Sequence, residues 1–304
     1  MLKSCKYYCK IIFCILFFLL PSWQEAEGRT KDQTGRQVLL PENPRRVISL
    51  APSITEIVFA LGQGELLKGV TLYSDFPPES RKIYKIGSYI HPDIEKIMVL
   101  NPDLCIAIKD GNPKSAVDKL ETLGIPVFAV DPKDLDTVID ATIKISKILN
   151  AKEAGKVLAA KMHSRIQRIK SLTSKKSLRP GVFFQIGVSP IVSAGTKTFI
   201  NELIELAGGR NLAQGAVTYP RYSREQVLGL APEIIIITSM ARGAVFEKVK
   251  KEWESWPQIP AARNHQIFLV NSNLFDRPSP RLIDGLELLF EIIKSSETNG
   301  NKRN

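Results

Sequence analysis

The chain has 304 residues, 24% of them charged and 44% hydrophobic, and 42 Lys and Arg against 31 Asp and Glu give a net charge of +11. That length can bury the cores of two lobes, and the composition is that of a globular protein. The basic excess has no aromatic-interleaved basic motif, which sets a nucleic-acid site aside; a surface that favours anionic membranes fits it better.

In chain order, the first segment is not fold. Lys3, Lys6 and Lys10 precede the apolar run IIFCILFFLL, and AEG at 26–28 offers small residues for a signal peptidase. Residues 1–28 read as an export signal, its apolar core too short to span a bilayer. None of Cys5, Cys9 and Cys14 has the setting that lipid attachment needs, since Phe13 stands before Cys14. The mature protein is therefore expected to be soluble outside the cytoplasm, in the periplasm. Cys105 is then the remaining cysteine, set in an apolar strand as a small core hydrophobe that has no internal disulfide partner.

Residues 29–148 form the first lobe of the expected fold. VISLAPSITEIVFALG from Val47 reads as a strand, a turn at Pro52, and a helix capped at Thr55 and stopped at Gly62. Then comes EKIMVLNPDLCIAI at 95–108, which returns as EQVLGLAPEIIIIT at 225–238. Glu, Leu, Pro and Ile fall in register, and Asp103 matches Glu233 in charge. Each copy reads as a helical turn, a Pro-acid turn and a buried strand. VFAV at 127–130 closes the lobe as another strand.

Residues 149–174 read as one connecting helix. Ala154, Leu158, Met162, Ile166 and Ile169 share a face, with lysines and arginines opposite, and Gly155 is its weak point. The second lobe, 175–304, repeats the plan: VFFQIGVSPIVSAG as strand and turn, KTFINELIELAGG as a helix stopped by Gly208, the Glu unit, and a strand at 267–270. A final helix, RLIDGLELLFEIIK, precedes a tail expected to be disordered. Strands alternating with helices predict an α/β fold of two similar lobes with parallel-rich sheets and a ligand cleft between them.

Chemistry in that cleft is constrained by inventory. His91, His163 and His265 lie far apart and no Cys pair exists, so a dedicated zinc or manganese site is not supported. GVSPI lacks the last glycine of a nucleophile elbow, and GQGELLKG follows a helix rather than a strand. Tyr89 and Tyr219 each stand six residues before their glutamate, one per lobe, able to hold a flat ligand from two sides. Glu95 and Glu225, recurring at one local position, could dock arginines of a pseudo-two-fold partner.

These motifs, with YSDFPP, SREQVL and FDRPSPR, make the chain resemble the exported substrate-binding proteins of ABC importers for corrinoids and iron chelates. The resemblance is strongest to the cobalamin branch. It implies ligand contacts at Ser53, Tyr73, Tyr89 and Tyr219 and along Asn273, Leu274, Phe275, Asp276 and Arg277. It implies permease docking through Glu95 and Glu225, no catalytic residues, no metal site, no cofactor, and a monomer that meets the membrane only at the permease. Val192 and Ile108 stand where relatives carry bulky aromatics, Asn273 replaces an acid, and Ala207 takes one place of a cysteine pair found in some relatives. A corrinoid is the expected ligand, with haem or a ferric siderophore as alternatives, tyrosine being able to ligate ferric iron. An enzyme of another class, a two-lobed tetrapyrrole chelatase, would have His91 as its candidate base.

Overall fold

Two uninterrupted apolar runs, LCIAI and IIII, sit at the centres of two sheets. Strands covered by helices on both faces carry no alternation, because neither face meets water. The computed structural model describes residues 29–175, 178–238 and 245–301. The expected signal segment, 1–28, lies outside the described residues.

In the first lobe, β1 (Arg29–Lys31) and β2 (Gln37–Leu39) form an antiparallel ribbon, followed by β3 (Val47–Ser49), α1 (Pro52–Ala60) and β4 (Leu67–Val70). Then come α2 (Ile94–Val99), β5 (Leu104–Ile108), α3 (Lys114–Thr122), β6 (Val127–Val130) and α4 (Leu135–Ile148). The sheet is parallel throughout, in the order β4-β3-β5-β6. Its two faces bury separate clusters, around Ile54, Ile106 and Phe128 on one side and Ile48, Ile97 and Cys105 on the other. Burial pushes the Cys105 thiol up to about 12, which suits an inert core residue.

After α5 (Lys152–Thr173), the second lobe contains β7 (Gly181–Val188), β8 (Ile191–Ser193), α6 (Phe199–Leu206), β9 (Arg210–Asn211), β10 (Arg221–Tyr222) and α7 (Arg224–Leu230). It ends with β11 (Ile234–Ile237), α8 (Val245–Glu254), α9 (Pro260–Arg263), β12 (Ile267–Leu269) and α10 (Leu282–Asn301). This sheet is mixed: β7, β11 and β12 run parallel, but β7 and β8 form an antiparallel hairpin extended by β10. The parallel-rich plan expected for both lobes is seen in each, unbroken in the first lobe's four-stranded sheet and interrupted in the second by this hairpin. A two-residue turn at Ser189 and Pro190 is too short for a crossover, so β8 must fold back.

Local details also differ from the sequence reading. Thr55 lies inside α1 rather than capping it: Ala51 is the N-cap, Pro52 opens the helix, and Thr55 Oγ1 lies 2.8 Å from the Ser49 hydroxyl. Pro supplies the helical φ and lacks the N–H that a cap would have to satisfy. The final helix continues to Asn301, across residues expected to be disordered. Extension of a helix already anchored by its core face costs little.

Two helices join the lobes rather than one. Leu135, Val138 and Ile139 at the start of α4 pack into the second-lobe core, while Ala141, Ile145 and Ile148 at its end pack into the first. Running back beside it, α5 goes from Ala151 in the first core to Met162, Ile166 and Ile169 in the second. Gly155 is the point where these helices touch, not a weak point. A Cβ there would sit 2.0 Å from Ser146 Oγ. Arg165 ties α5 to α10 through Asp284 and Glu287, both at 2.6 Å.

Candidate functional site

Residues that follow the carboxyl ends of parallel strands gather in one crevice, as open α/β sheets dictate. Behind β3 come Ala51 and Ser53, behind β4 Tyr73, behind β5 Asp110, and behind β6 Lys133 and Asp134. The second lobe adds Thr196, Lys197 and Phe199 after β8, and Asn273, Asp276 and Arg277 after β12. Together they enclose a cleft of about 1290 Å³ between the lobes.

The loops that carry the aromatics are pinned from behind. Asn112 donates to Tyr89 O at 2.7 Å and Leu50 O at 2.8 Å, and accepts from Ile108 N at 2.7 Å. Gly111, at φ +147°, lies against the Tyr89 ring, where a Cβ would come within 3.1 Å. Across the cleft, Gly195 N donates to Thr218 O at 2.8 Å, and a Cβ on Gly195 would meet Val217 O at 2.0 Å. That close approach holds the Tyr219 segment against β8. Tyr73 and Tyr219 are half exposed, at 53% and 51%, as rings lining an open crevice must be.

Of the residues expected to touch a ligand, Ser53, Tyr73, Tyr89, Tyr219, Asn273, Asp276 and Arg277 line the cleft. Leu274 and Phe275 do not. Phe275 is fully buried in the second-lobe core, edge-on to Phe184 at 5.3 Å, and Leu274 packs against the same cluster. The short helical turn Ser272–Leu274 leaves Ser272 and Asn273 on the crevice and turns Leu274 and Phe275 into the core. Val192 likewise belongs to the β7–β8 hairpin, beneath Gly187, whereas Ile108 does line the cleft.

Arg277, on the cleft wall, also ties the two lobes together. Its guanidinium is buried and reaches the first lobe, donating to Glu56 Oε1 at 2.8 Å and Tyr73 O at 2.9 Å, with Asp75 at 2.9 Å. Ser279 donates to Glu56 Oε2 at 2.6 Å, Arg281 reaches Glu56 at 3.2 Å, and the Arg281 guanidinium stacks on the Phe76 ring. Both ions are buried, so each depends on the other for its charge to be tolerated. A second bridge runs the opposite way, Leu135 N donating to Glu202 Oε2 at 2.9 Å.

Carboxylates outnumber cations on the cleft wall, with Asp110, Asp134, Glu202 and Asp276 against Lys133, Lys197 and Arg277. Burial pushes Asp276 up to about 6 against the pull of Arg277. Burial also raises Glu202, with repulsion from Asp134 and Asp136 adding to it. Tyr219 is raised by burial and by the charges of Asp276 and Asp110, one from each lobe. Asp110, Lys133, Lys197 and Glu202 were not found from the sequence. The strand-end rule would have pointed to Asp110 and Lys133, but Lys197 follows the antiparallel β8 and Glu202 lies inside α6, so neither gives that signal.

Glu95 and Glu225 are exposed and equivalent, each the second residue of its helix. Asp93 caps α2 by accepting from Lys96 N, and Ser223 caps α7 in a reciprocal box with Gln226. The rest of the repeat is structural. Asn101 and Ala231 both turn at positive φ, 43° and 46°. Asp103 then accepts from Arg46 N at 3.0 Å, and Glu233 from Gly181 N at 2.6 Å, each anchoring the start of its lobe's first central strand.

The sequence profile described as "periplasmic binding protein" matches residues 47–274. The vitamin B12-binding protein of Vibrio cholerae serotype O1 (strain ATCC 39541) is 30% identical over 293 residues, 95% of this chain and 98% of that one. The vitamin B12-binding protein of Yersinia pestis (strain Pestoides F) is 30% identical over 83% of this chain and 88% of that protein. Among solved structures, the periplasmic vitamin B12 binding protein of Vibrio cholerae superposes with a TM-score of 0.74 at 30% identity, over 84% of this chain and 99% of that one. A periplasmic heme-binding protein from Roseiflexus sp. RS-1 has the same TM-score, 0.74, at 26% identity, over 83% and 99%.

Proposed function

The chain belongs to the periplasmic binding protein family, and from that membership we propose that it is the exported substrate-binding protein of an ABC importer. It works in the periplasm after loss of residues 1–28, as a monomer that takes a corrinoid, cobalamin foremost, and delivers it to an inner-membrane permease. The observation that carries this reading is the inter-lobe cleft of about 1290 Å³, with tyrosines from both lobes on its walls. Pockets for ordinary small ligands occupy about 300–1,000 Å³, so the space suits a larger, flat guest. Relatives named for vitamin B12 at 30% identity support the same ligand.

Haem is the second reading, supported by the heme-binding relative at 26% identity. The state of Tyr219 favours the corrinoid: burial and two nearby carboxylates raise its pKa, which works against the phenolate that ferric iron would need. Binding without turnover is the expected behaviour of a family of binding proteins, and ATP is hydrolysed by other subunits. The exposed His91 on the cleft wall is the group that a chelatase-like activity would have to use. His91→Ala should leave ligand uptake intact; a loss of metal insertion into a tetrapyrrole would instead reveal an enzyme.

Glu95 and Glu225 present one carboxylate per lobe to arginines on a two-subunit permease, where charge-assisted pairs set orientation. Because α4 and α5 both bridge the lobes, closure on binding is small and release follows when the permease draws the lobes apart. Calorimetric titration with cobalamin, cobinamide, haemin and a ferric siderophore tests the ligand; tightest binding of the siderophore would overturn the corrinoid. Tyr89→Ala and Tyr219→Ala should each weaken binding by about fivefold, the scale of one aromatic contact. An unchanged Kd would remove that ring from the contact.

A further inference from the structure

We infer that the cleft selects by charge, accepting a macrocycle edged with amides or carrying positive charge and rejecting one with free carboxylates, with Asp276 and Asp110 as the specificity-determining residues. The inference rests on the ligand reading above and deepens it.

The protein as a whole is basic, but its cleft is not. Four carboxylates line it: Asp110, Asp134, Glu202 and Asp276. Of the three cations on its walls, Arg277 is held by Glu56 at 2.8 Å and Asp75 at 2.9 Å, and Lys133 by Asp131 at 3.0 Å. Lys197, exposed on the second lobe, is the cleft cation that makes no ion pair among the described residues. A guest with two carboxylates would thus find one uncommitted positive group and several negative ones.

Asp110 and Asp276 come from opposite lobes and both act on the Tyr219 phenol, so they flank the same stretch of wall. Asp276 is partly buried, and that burial raises its pKa, so the approach of another anion adds to a cost already present. Carboxylate oxygens accept hydrogen bonds from amide N–H groups and cannot donate to a carboxylate when ionised. The same side chains therefore reward an amide-edged ring and repel an acid-edged one, which is discrimination by a repulsive element.

The test compares haemin, which carries two free propionates, with its dimethyl ester, whose ring is the same and whose edge is neutral. Wild-type protein should bind the ester at least tenfold more tightly than the free acid at pH 7.5. Asp110→Asn/Asp276→Asn should raise the affinity for haemin relative to cyanocobalamin at least tenfold, with circular dichroism confirming the fold. Free acid bound as tightly as ester by the wild type overturns the inference without any variant. Porphyrins unbound by both proteins overturn it as well, because shape and not charge then excludes them. Failure to bind cyanocobalamin, with the ester still preferred to the acid, would sink the corrinoid reading and leave charge selection standing.

Discussion

The two lobes share a backbone plan and divide the work of the cleft unequally. The first lobe is a parallel sheet whose loops supply Tyr73, Tyr89 and Asp110; the second, part antiparallel, supplies Tyr219, Asn273 and Asp276. The Pro-acid turn recurs because each lobe must anchor its first central strand, through Asp103 to Arg46 N and Glu233 to Gly181 N. Glu95 and Glu225 are exposed at the starts of α2 and α7, and Glu225 bonds within its own helix cap, to Ser223. The repeated Pro-acid turn is thus explained by the strand that each copy anchors.

The lobes also hold each other, and breaking that hold gives the largest expected effect. Arg277→Met leaves Glu56 and Asp75 without their shared buried cation. It should cost about 3 kcal/mol of stability in urea denaturation. A loss below about 1 kcal/mol would mean that the lobes are joined by α4 and α5 alone.

Next comes pH. Burial raises Asp276 from 3.8 to about 6, so the folded state holds a proton that the unfolded state has released across that interval. Stability from this group is present in full below about pH 4 and falls as pH rises through 6, by on the order of 3 kcal/mol. Asp276→Asn should flatten that decline, measured as the difference between the two stability profiles; parallel profiles would show that Asp276 is well solvated.

The seam between α4 and α5 is the third point. Gly155→Ala should destabilise by about 2 kcal/mol although alanine is the better helix former, because its methyl meets Ser146. Adding Ser146→Gly should recover most of the loss, and a neutral single variant would show that the helices can part there. The smallest effect on folding belongs to Glu95→Lys/Glu225→Lys, within about 0.5 kcal/mol. Cobalamin uptake by cells should nevertheless be abolished with the Kd unchanged. A large affinity loss would place those residues in the cleft instead.

Much of this was legible in the chain because it rests on local rules. Unbroken apolar runs are central strands, and the helix stops at Gly62 and Gly208 are left-handed positions, at φ +72° and +92°. Phe275 was misread because a single helical turn sends neighbours to opposite sides, and no local pattern says which side is core. Gly155 was misread because propensity describes a lone helix and not the partner pressed against it.

The sequence by itself determined two α/β lobes, a bridging helix and a glutamate at the same place in one helix of each lobe, since periodicity, turn chemistry and repetition act between near neighbours. Tertiary structure alone decided that α4 joins α5 as a second bridge, that Arg277 on the cleft wall also binds Glu56 across 221 positions, and that carboxylates outnumber cations in the cleft of a basic protein. Those outcomes depend on charges and surfaces brought together from distant parts of the chain, where packing and desolvation, not order along the backbone, choose each partner.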